Sequence, residues 1–424
     1  YNIANSNQCS DTSDVFYFKI GDCGDAGMLE NWYLPNFSLH FSGTSFPVVG
    51  YSAVPGQSVA DECTSSLSDR DGNLLLYTDG LTVWNRNHQS MPNGSGLAGC
   101  YSSTQGCLLA PKPGSTTLYY LFTADCGENQ YTGGLKYSVI DLSLNGGLGD
   151  VITGQKNLPV RSKINEHVGG TYHSNGTDIW ISAASFDGDT MYSYLLSAAG
   201  LATTPVISPF ANGGFNGGIG EIKFSNDGLK VAYCINSTVL PNRVRVADFN
   251  KNTGIASNPF EITYSSLVNE TPYGIEFSPD NSKLYVGLLR QGKVFQYNMA
   301  AGTPAAILAS EIRLDPFTGT TTKQFANMSL GPDGRIWISR DQFYIDYIDQ
   351  PNLAGTACGY TVDFLNNPNP LWFGWAMPNF VKGIELLSTP RISGPRKICV
   401  NVTETFEVAY AFPADSPIWI HPGP

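Results

Sequence analysis

The chain has 424 residues, 42% of them hydrophobic and only 14% charged, with a net charge of −12 and a pI near 4.8. An acidic balance with no Lys/Arg cluster and no basic aromatic stripe excludes nucleic acid and anionic membrane as partners. No apolar run approaches the roughly 18 residues of a membrane span, so membrane insertion is not expected either.

The 45 Gly, 26 Pro, 22 Tyr, 22 Phe and 7 Trp are the composition of an all-β chain of short strands and many turns. At the start, no charged-then-apolar leader precedes Tyr1, which reads as a processed end. Cys9 and Cys23 read as a loop disulfide of an exported protein. "GDAGMLENWYLPNFSLHFSGTSFPVV" then runs strand, loop, strand. From residue 68 a fuller unit recurs: apolar strand, a turn of the type S-x-D-G, a strand of Leu/Ile/Val with Tyr/Trp, a loop and a third strand. Its copies include "SDRDGNLLLYTDGLTVWN", "YHSNGTDIWISAASFDGDTMYSYLLS", "FSPDNSKLYVGLLRQGKVFQYNM" and "LGPDGRIWISRDQFYIDYIDQ". The turn residues Gly72, Gly114, Gly176, Gly228, Asn281 and Gly334 are 42, 62, 52, 53 and 53 positions apart. A three- or four-stranded repeat of roughly 40–50 residues is a β-propeller blade, whose first strand lines the central channel. Six such units and the N-terminal one predict seven blades over residues 1–387, with "MPNFVKGIEL" at 377–386 as the strand that closes the ring. Residues 388–424, beginning "STPRISGPRKICVNV", change register and read as the opening strands of an Ig-like or PKD-like sandwich.

The nine cysteines form no paired CxxC zinc pattern. Some pairing among Cys100, Cys107 and Cys126 is expected. Cys63 and Cys234 fall in apolar strand patterns and read as buried thiols, and Cys399 has no evident partner. N-x-[ST] sequons at Asn36, Asn93, Asn175, Asn236, Asn269, Asn327 and Asn401 suit an exposed surface.

Several stretches invite a chemical reading. "DRDGN" places Asp69, Asp71 and Asn73 at the alternating positions of a calcium loop, making calcium the one cofactor to weigh. An apolar strand follows where further ligands are needed, and equivalent turns lack the first acid, so a turn is the favoured reading. Asp79-Gly80 likewise suits a hairpin, Trp84 inter-blade packing and His88 the surface. No G-x-S-x-G, H-E-x-x-H or Walker loop occurs. Counting back nine or ten positions from each blade turn gives Glu62, Gln105, Glu166, His167 and Gln324, with Glu221 seven before its own. This predicts one channel mouth holding three carboxylates and a histidine, able to bind a cation or a polar ligand such as a sugar. The plainer alternative is a water-filled channel with ordinary polar lining. "NPLWFGWAMPNF" offers Trp372 and Trp375, with Phe373, as a sugar-stacking platform or as buried aromatics that close the ring.

"GNLLLYTDGLTVWNRNHQSMPNGSGL", "STQGCLLAPKPGSTTLYYLFT", "GLKYSVIDLSLNGGLGDV", "DQPNLAGTACGY" and "MPNF" resemble the N-terminal propellers of large secreted proteins of gliding-type Bacteroidota, from about Trp32 to Phe380. The resemblance implies an extracellular or surface-attached protein in which Ig-like or PKD-like repeats follow the propeller. It also implies a C-terminal domain, beyond this chain, that engages the type IX secretion machinery. "DTM" resembles the short O-glycosylation sequence of the same bacteria, making Thr190 a candidate. The family supplies no catalytic motif. The reading is therefore a non-catalytic recognition or adhesion module for a glycan or a cell-surface protein. A polysaccharide-acting enzyme at the funnel and a structural subunit of a surface filament or sheath are the alternatives.

Overall fold

The computed structural model describes residues 26–41, 46–50, 61–210, 218–236, 241–264, 270–317, 323–366 and 374–383, with the backbone of short strands at 2–3, 391–393, 404–405 and 407–409. The protein is an all-β, seven-bladed propeller.

Blade one has three strands, Asn31–Leu34, Phe37–His40 and Val48–Gly50. The inner strands of blades two to seven are Ser65–Ser68, Cys107–Pro111, Gly169–Tyr172, Ile222–Phe224, Pro272–Phe277 and Phe325–Leu330. Each runs outward through antiparallel neighbours, and the outer strands of blades three and four are split in two.

The repeat pattern has a direct backbone cause. Gly72, Gly114, Gly176, Gly228, Asn281 and Gly334 all lie at φ between 62° and 81°, the left-handed region a tight turn needs and that Gly, then Asn, tolerates best. Asn36 at φ 64° serves the same purpose in blade one, where the S-x-D-G signature is absent.

Blades pack through apolar clusters between neighbours. Tyr33 stacks on Tyr77 at 4.4 Å and Tyr77 on Trp84 at 5.2 Å, carrying one aromatic column from blade one into blade two. The ring closes where Trp32, Leu34, Phe37 and Leu39 of blade one meet Trp337, Ile345 and Leu365 of blade seven. Blade one supplies its own inner strand, so closure uses side-chain packing.

Residues 377–386 therefore do not close a blade as expected. Residues 374–383 instead enter the central channel and run parallel to the inner strands, bridging Pro378 to Thr64 and Lys382 to Thr171; 384–386 lie outside the described residues. Within 388–424, where the sequence predicts an Ig-like sandwich, the described residues include one short antiparallel pair, Arg391–Ser393 with Glu407–Ala409, and most of the segment lies outside the described residues.

Candidate functional site

The channel is neither open nor simply water-lined. Trp375 donates its backbone N–H to Asp61 O at 2.6 Å and accepts from Ser339 Oγ at 2.6 Å. Ser329 Oγ donates to Pro378 O at 3.0 Å. Asn379 is the hub. Its Oδ1 accepts from Gln105 Nε2 at 2.8 Å, and its Nδ2 donates to Cys107 O at 2.9 Å and Val168 O at 2.8 Å. Phe380 packs on Trp32, and Lys382 pairs with Glu276 at 2.9 Å. One ten-residue segment thus touches six of the seven blades.

Of the predicted residues, Glu62 and Glu166 come together at the upstream mouth. Glu62 accepts from Tyr273 Oη at 2.5 Å and Ser102 Oγ at 3.4 Å. Glu166 accepts from Thr104 Oγ1 at 2.9 Å and from the N–H of Gly127 at 3.2 Å. Burial pushes the Glu62 carboxyl up to about 8, against its bond from Tyr273 and with help from Glu128 and Asp61. Burial, then the neighbouring Glu62, pushes Glu166 well above the carboxylate range. Asp61, beside them, is raised to about 6 by burial. Glu62 and Glu166 therefore favour their protonated forms at neutral pH.

Glu62 makes stability depend on pH in an unusual direction. Below the ordinary carboxyl value, folded and unfolded chains both hold this proton. Between that value and about 8 the unfolded chain releases it while the folded chain keeps it, so stability falls as pH rises through that window. Glu62→Gln keeps an acceptor for Tyr273 and removes the titration. Its unfolding free energy, from urea titration, should match the parent at pH 4 and exceed it at pH 8 by about 4 kcal/mol. Equal midpoints at pH 8 would contradict the protonated mouth.

Glu221 is not part of this mouth pair. It lies deeper, accepting from the N–H groups of Ile275 and Met328 and facing Lys223 Nζ at 3.1 Å. Lys223 also faces Glu276 at 3.6 Å, so Glu221, Lys223, Glu276 and Lys382 form a buried, charge-balanced group about the axis. Burial still raises Glu221 to about 7, Lys223 opposing it. His167 is fully buried, its Nδ1 at 2.9 Å from Gly220 O, and burial lowers it to about 4. Held neutral there, it stands apart from the mouth carboxyls' acid–base chemistry. Gln105 is structural: besides holding Asn379 it accepts the N–H of Ile222 at 2.7 Å.

Gln324 lies away from this set, its N–H donated to Asp341 Oδ1 at 2.7 Å. The ladder slips between Phe325 and Met328, and the count of ten back from Gly334 runs three residues past the one that enters the channel. The residue that reaches in is Asn327, whose Nδ2 donates to Glu62 O and Thr104 O, both at 2.7 Å. A similar slip in blade six, between Pro272 and Ile275, hid Tyr273. Being fully buried, Asn327 is also unsuited to carry a glycan in the folded chain.

Trp375 is half-buried at the mouth, edge-on to Tyr273 at 6.1 Å; Trp372 lies outside the described residues. Asp69, Asp71 and Asn73 sit in their blade turn, where Asp69 Oδ1 accepts the N–H groups of Asp71 and Asn73 and both Asp69 oxygens face the Asn73 amide. Thr190 opens the third strand of blade four, its hydroxyl donated to Asp189 at 2.9 Å. Cys100 and Cys126 form a disulfide beside the mouth, and Cys107 is left next to Cys63. Cys9, Cys23 and Cys399 lie outside the described residues.

No family model and no curated protein sequence matches this chain. Among solved structures, it is similar to a candidate 6-phosphogluconolactonase of Bacteroides uniformis, at 14% identity and TM-score 0.48, over 81% of this chain and 98% of that one. It is similar to a luciferin-regenerating enzyme at 14% identity and TM-score 0.41, over 78% and 97% of the two chains. For the periplasmic gluconolactonase of Pseudomonas aeruginosa the values are 12% and 0.39, over 66% and 77%. The likeness is one of fold. Among the described residues no helix is long and apolar enough to cross a membrane.

Proposed function

We propose that this chain is an exported recognition module, the propeller of a larger surface protein, that binds a hydroxyl-rich polymer on the face around the upstream mouth. The observation that carries this reading is the axial segment. With residues 374–383 seated in the channel, Glu166, His167 and Glu221 are only 2%, 0% and 0% exposed. What remains for recognition is the rim. Tyr101 is 49% exposed, Tyr131 packs on Phe186 at 4.9 Å, and Trp375 is half-buried. Asp61, Ser102 and the exposed Glu128 stand between them. Aromatic faces interleaved with carboxylates and hydroxyls suit a sugar chain, which offers C–H faces to stack and hydroxyls to donate. The Cys100–Cys126 bridge supports an oxidising location outside the cytoplasm. Export by the type IX route belongs to the same reading.

The full chain on a glycan array, with and without a calcium chelator, tests it. Binding to a defined glycan set, lost in Tyr101→Ala, is the expected result. No binding in either condition would overturn the reading.

A second reading rests on one observation. Glu62 is 7% exposed and carries a proton at neutral pH, as a general acid must. Release of new reducing ends from a polysaccharide panel by the parent chain, and none by Glu62→Gln, would establish a glycan-cleaving enzyme instead.

A further inference from the structure

Cys63 and Cys107 lie 44 residues apart in sequence, at the starts of the inner strands of neighbouring blades. Their Sγ atoms are 2.8 Å apart. That is well inside the roughly 3.5–4.0 Å at which non-bonded heavy atoms settle, and under 1 Å of movement reaches the disulfide bond length of about 2.05 Å. Both side chains are buried, at 2% and 0% exposure. The Asp79-Gly80 turn lies over the pair: a Cβ at Gly80 would stand 3.3 Å from Cys63 Sγ and 3.4 Å from Cys107 Cβ. Among the described residues no metal-ligand group includes either sulfur. A few residues away the same two blades are flanked by a disulfide already formed, Cys100–Cys126.

We propose that Cys63 and Cys107 form a second disulfide, which staples blade two to blade three directly beneath the mouth. The reaction is thiol–disulfide exchange with a disulfide oxidant, either a small molecule or a protein. One thiolate attacks a sulfur of the oxidant, breaking its S–S bond and releasing one thiol. The second thiolate then attacks the mixed disulfide, forming the Cys63–Cys107 bond and releasing the other thiol. Two protein thiols are oxidised, one oxidant disulfide is reduced, and the two protons leave on the released thiols. Burial pushes the Cys107 thiol well up, so the folded protein offers little thiolate there. The bond therefore forms while the two blades assemble, before Gly80 covers them. Once made, it fixes the residue beside Glu62, so the geometry of the mouth depends on it.

The test is peptide mapping of the full chain refolded in a glutathione redox mixture. The chain is denatured and alkylated without reductant, then digested with a protease that cuts at aromatic residues, so that Cys63, Cys100, Cys107 and Cys126 fall on separable peptides. The expected product is a cross-linked peptide joining Cys63 to Cys107, which collapses to two alkylated peptides only after reduction. In Cys63→Ser the cross-link is lost, Cys107 becomes alkylated, and the thermal midpoint falls by several degrees while Cys100–Cys126 persists. Alkylation of both residues in the unreduced parent, or a cross-link from either to another cysteine, overturns the proposal. The parent map decides this even if the variant does not fold.

Discussion

Replacing Asn379 with leucine is expected to lower the unfolding free energy by about 4–6 kcal/mol, much of what holds a typical domain together. The side chain is 3% exposed and joins three strangers in sequence: Gln105, the Cys107 carbonyl and the Val168 carbonyl. Leucine fills the same space and offers none of the bonds. One buried amide donor and two buried carbonyls then lose a partner where water does not reach. Each such loss costs roughly 1–3 kcal/mol, far more than the net worth of a bond made. Urea unfolding followed by tryptophan fluorescence measures the change. A loss below about 1 kcal/mol would mean the axial segment is not seated as described.

The second large effect is expected at Lys382. Its ammonium is held against both oxygens of Glu276, at 2.9 and 3.0 Å, and both groups are buried. Lys382→Met leaves the Glu276 carboxylate with a more distant cation, Lys223 at 3.6 Å, and the N–H groups of Phe277 and Leu330. Breaking one side of a buried ion pair costs about 3–5 kcal/mol, because the surviving charge stays desolvated. Adding Glu276→Gln to the same chain should recover most of that loss. The two substitutions are then strongly non-additive in a double-mutant cycle of urea midpoints. Additive losses would show that the pair does not act as a unit.

How far the sequence could be read depended on whether a local rule reached the feature. The S-x-D-G turns were legible because a positive φ leaves Gly or Asn at one position of every unit, and that fixes the blade count. Glu166 was legible because the regular ladder of blade four makes counting back from the turn equivalent to measuring along the strand, and the same count reached Glu62 although its ladder slips between Leu67 and Ser68. In blades six and seven, whose ladders also slip, the count failed: it gave Gln324 for Asn327 and passed over Tyr273. The axial segment "GWAMPNFVKG" was not legible at all. Its residues have the mixed pattern of an ordinary strand, and only its partners, 36 to 348 positions upstream, separate a blade strand from an occupant of the channel. The nearness of Cys63 and Cys107 was hidden likewise, because it depends on how two blades meet rather than on the spacing of either cysteine.

The seated segment also decides how the molecule carries load. Gly383 lies at the axis, so tension applied to the chain there enters the propeller at its centre. Pro378 and Lys382 run parallel to Thr64 and Thr171. A pull along the axis therefore shears these contacts together instead of peeling them one at a time. With hydrogen bonds, an ion pair and ring contacts spread over six blades, no single blade takes the force alone. Resistance to extraction becomes a matter of unfolding rate more than of equilibrium stability. A propeller held by such an axle could be dragged on through that segment without losing a blade.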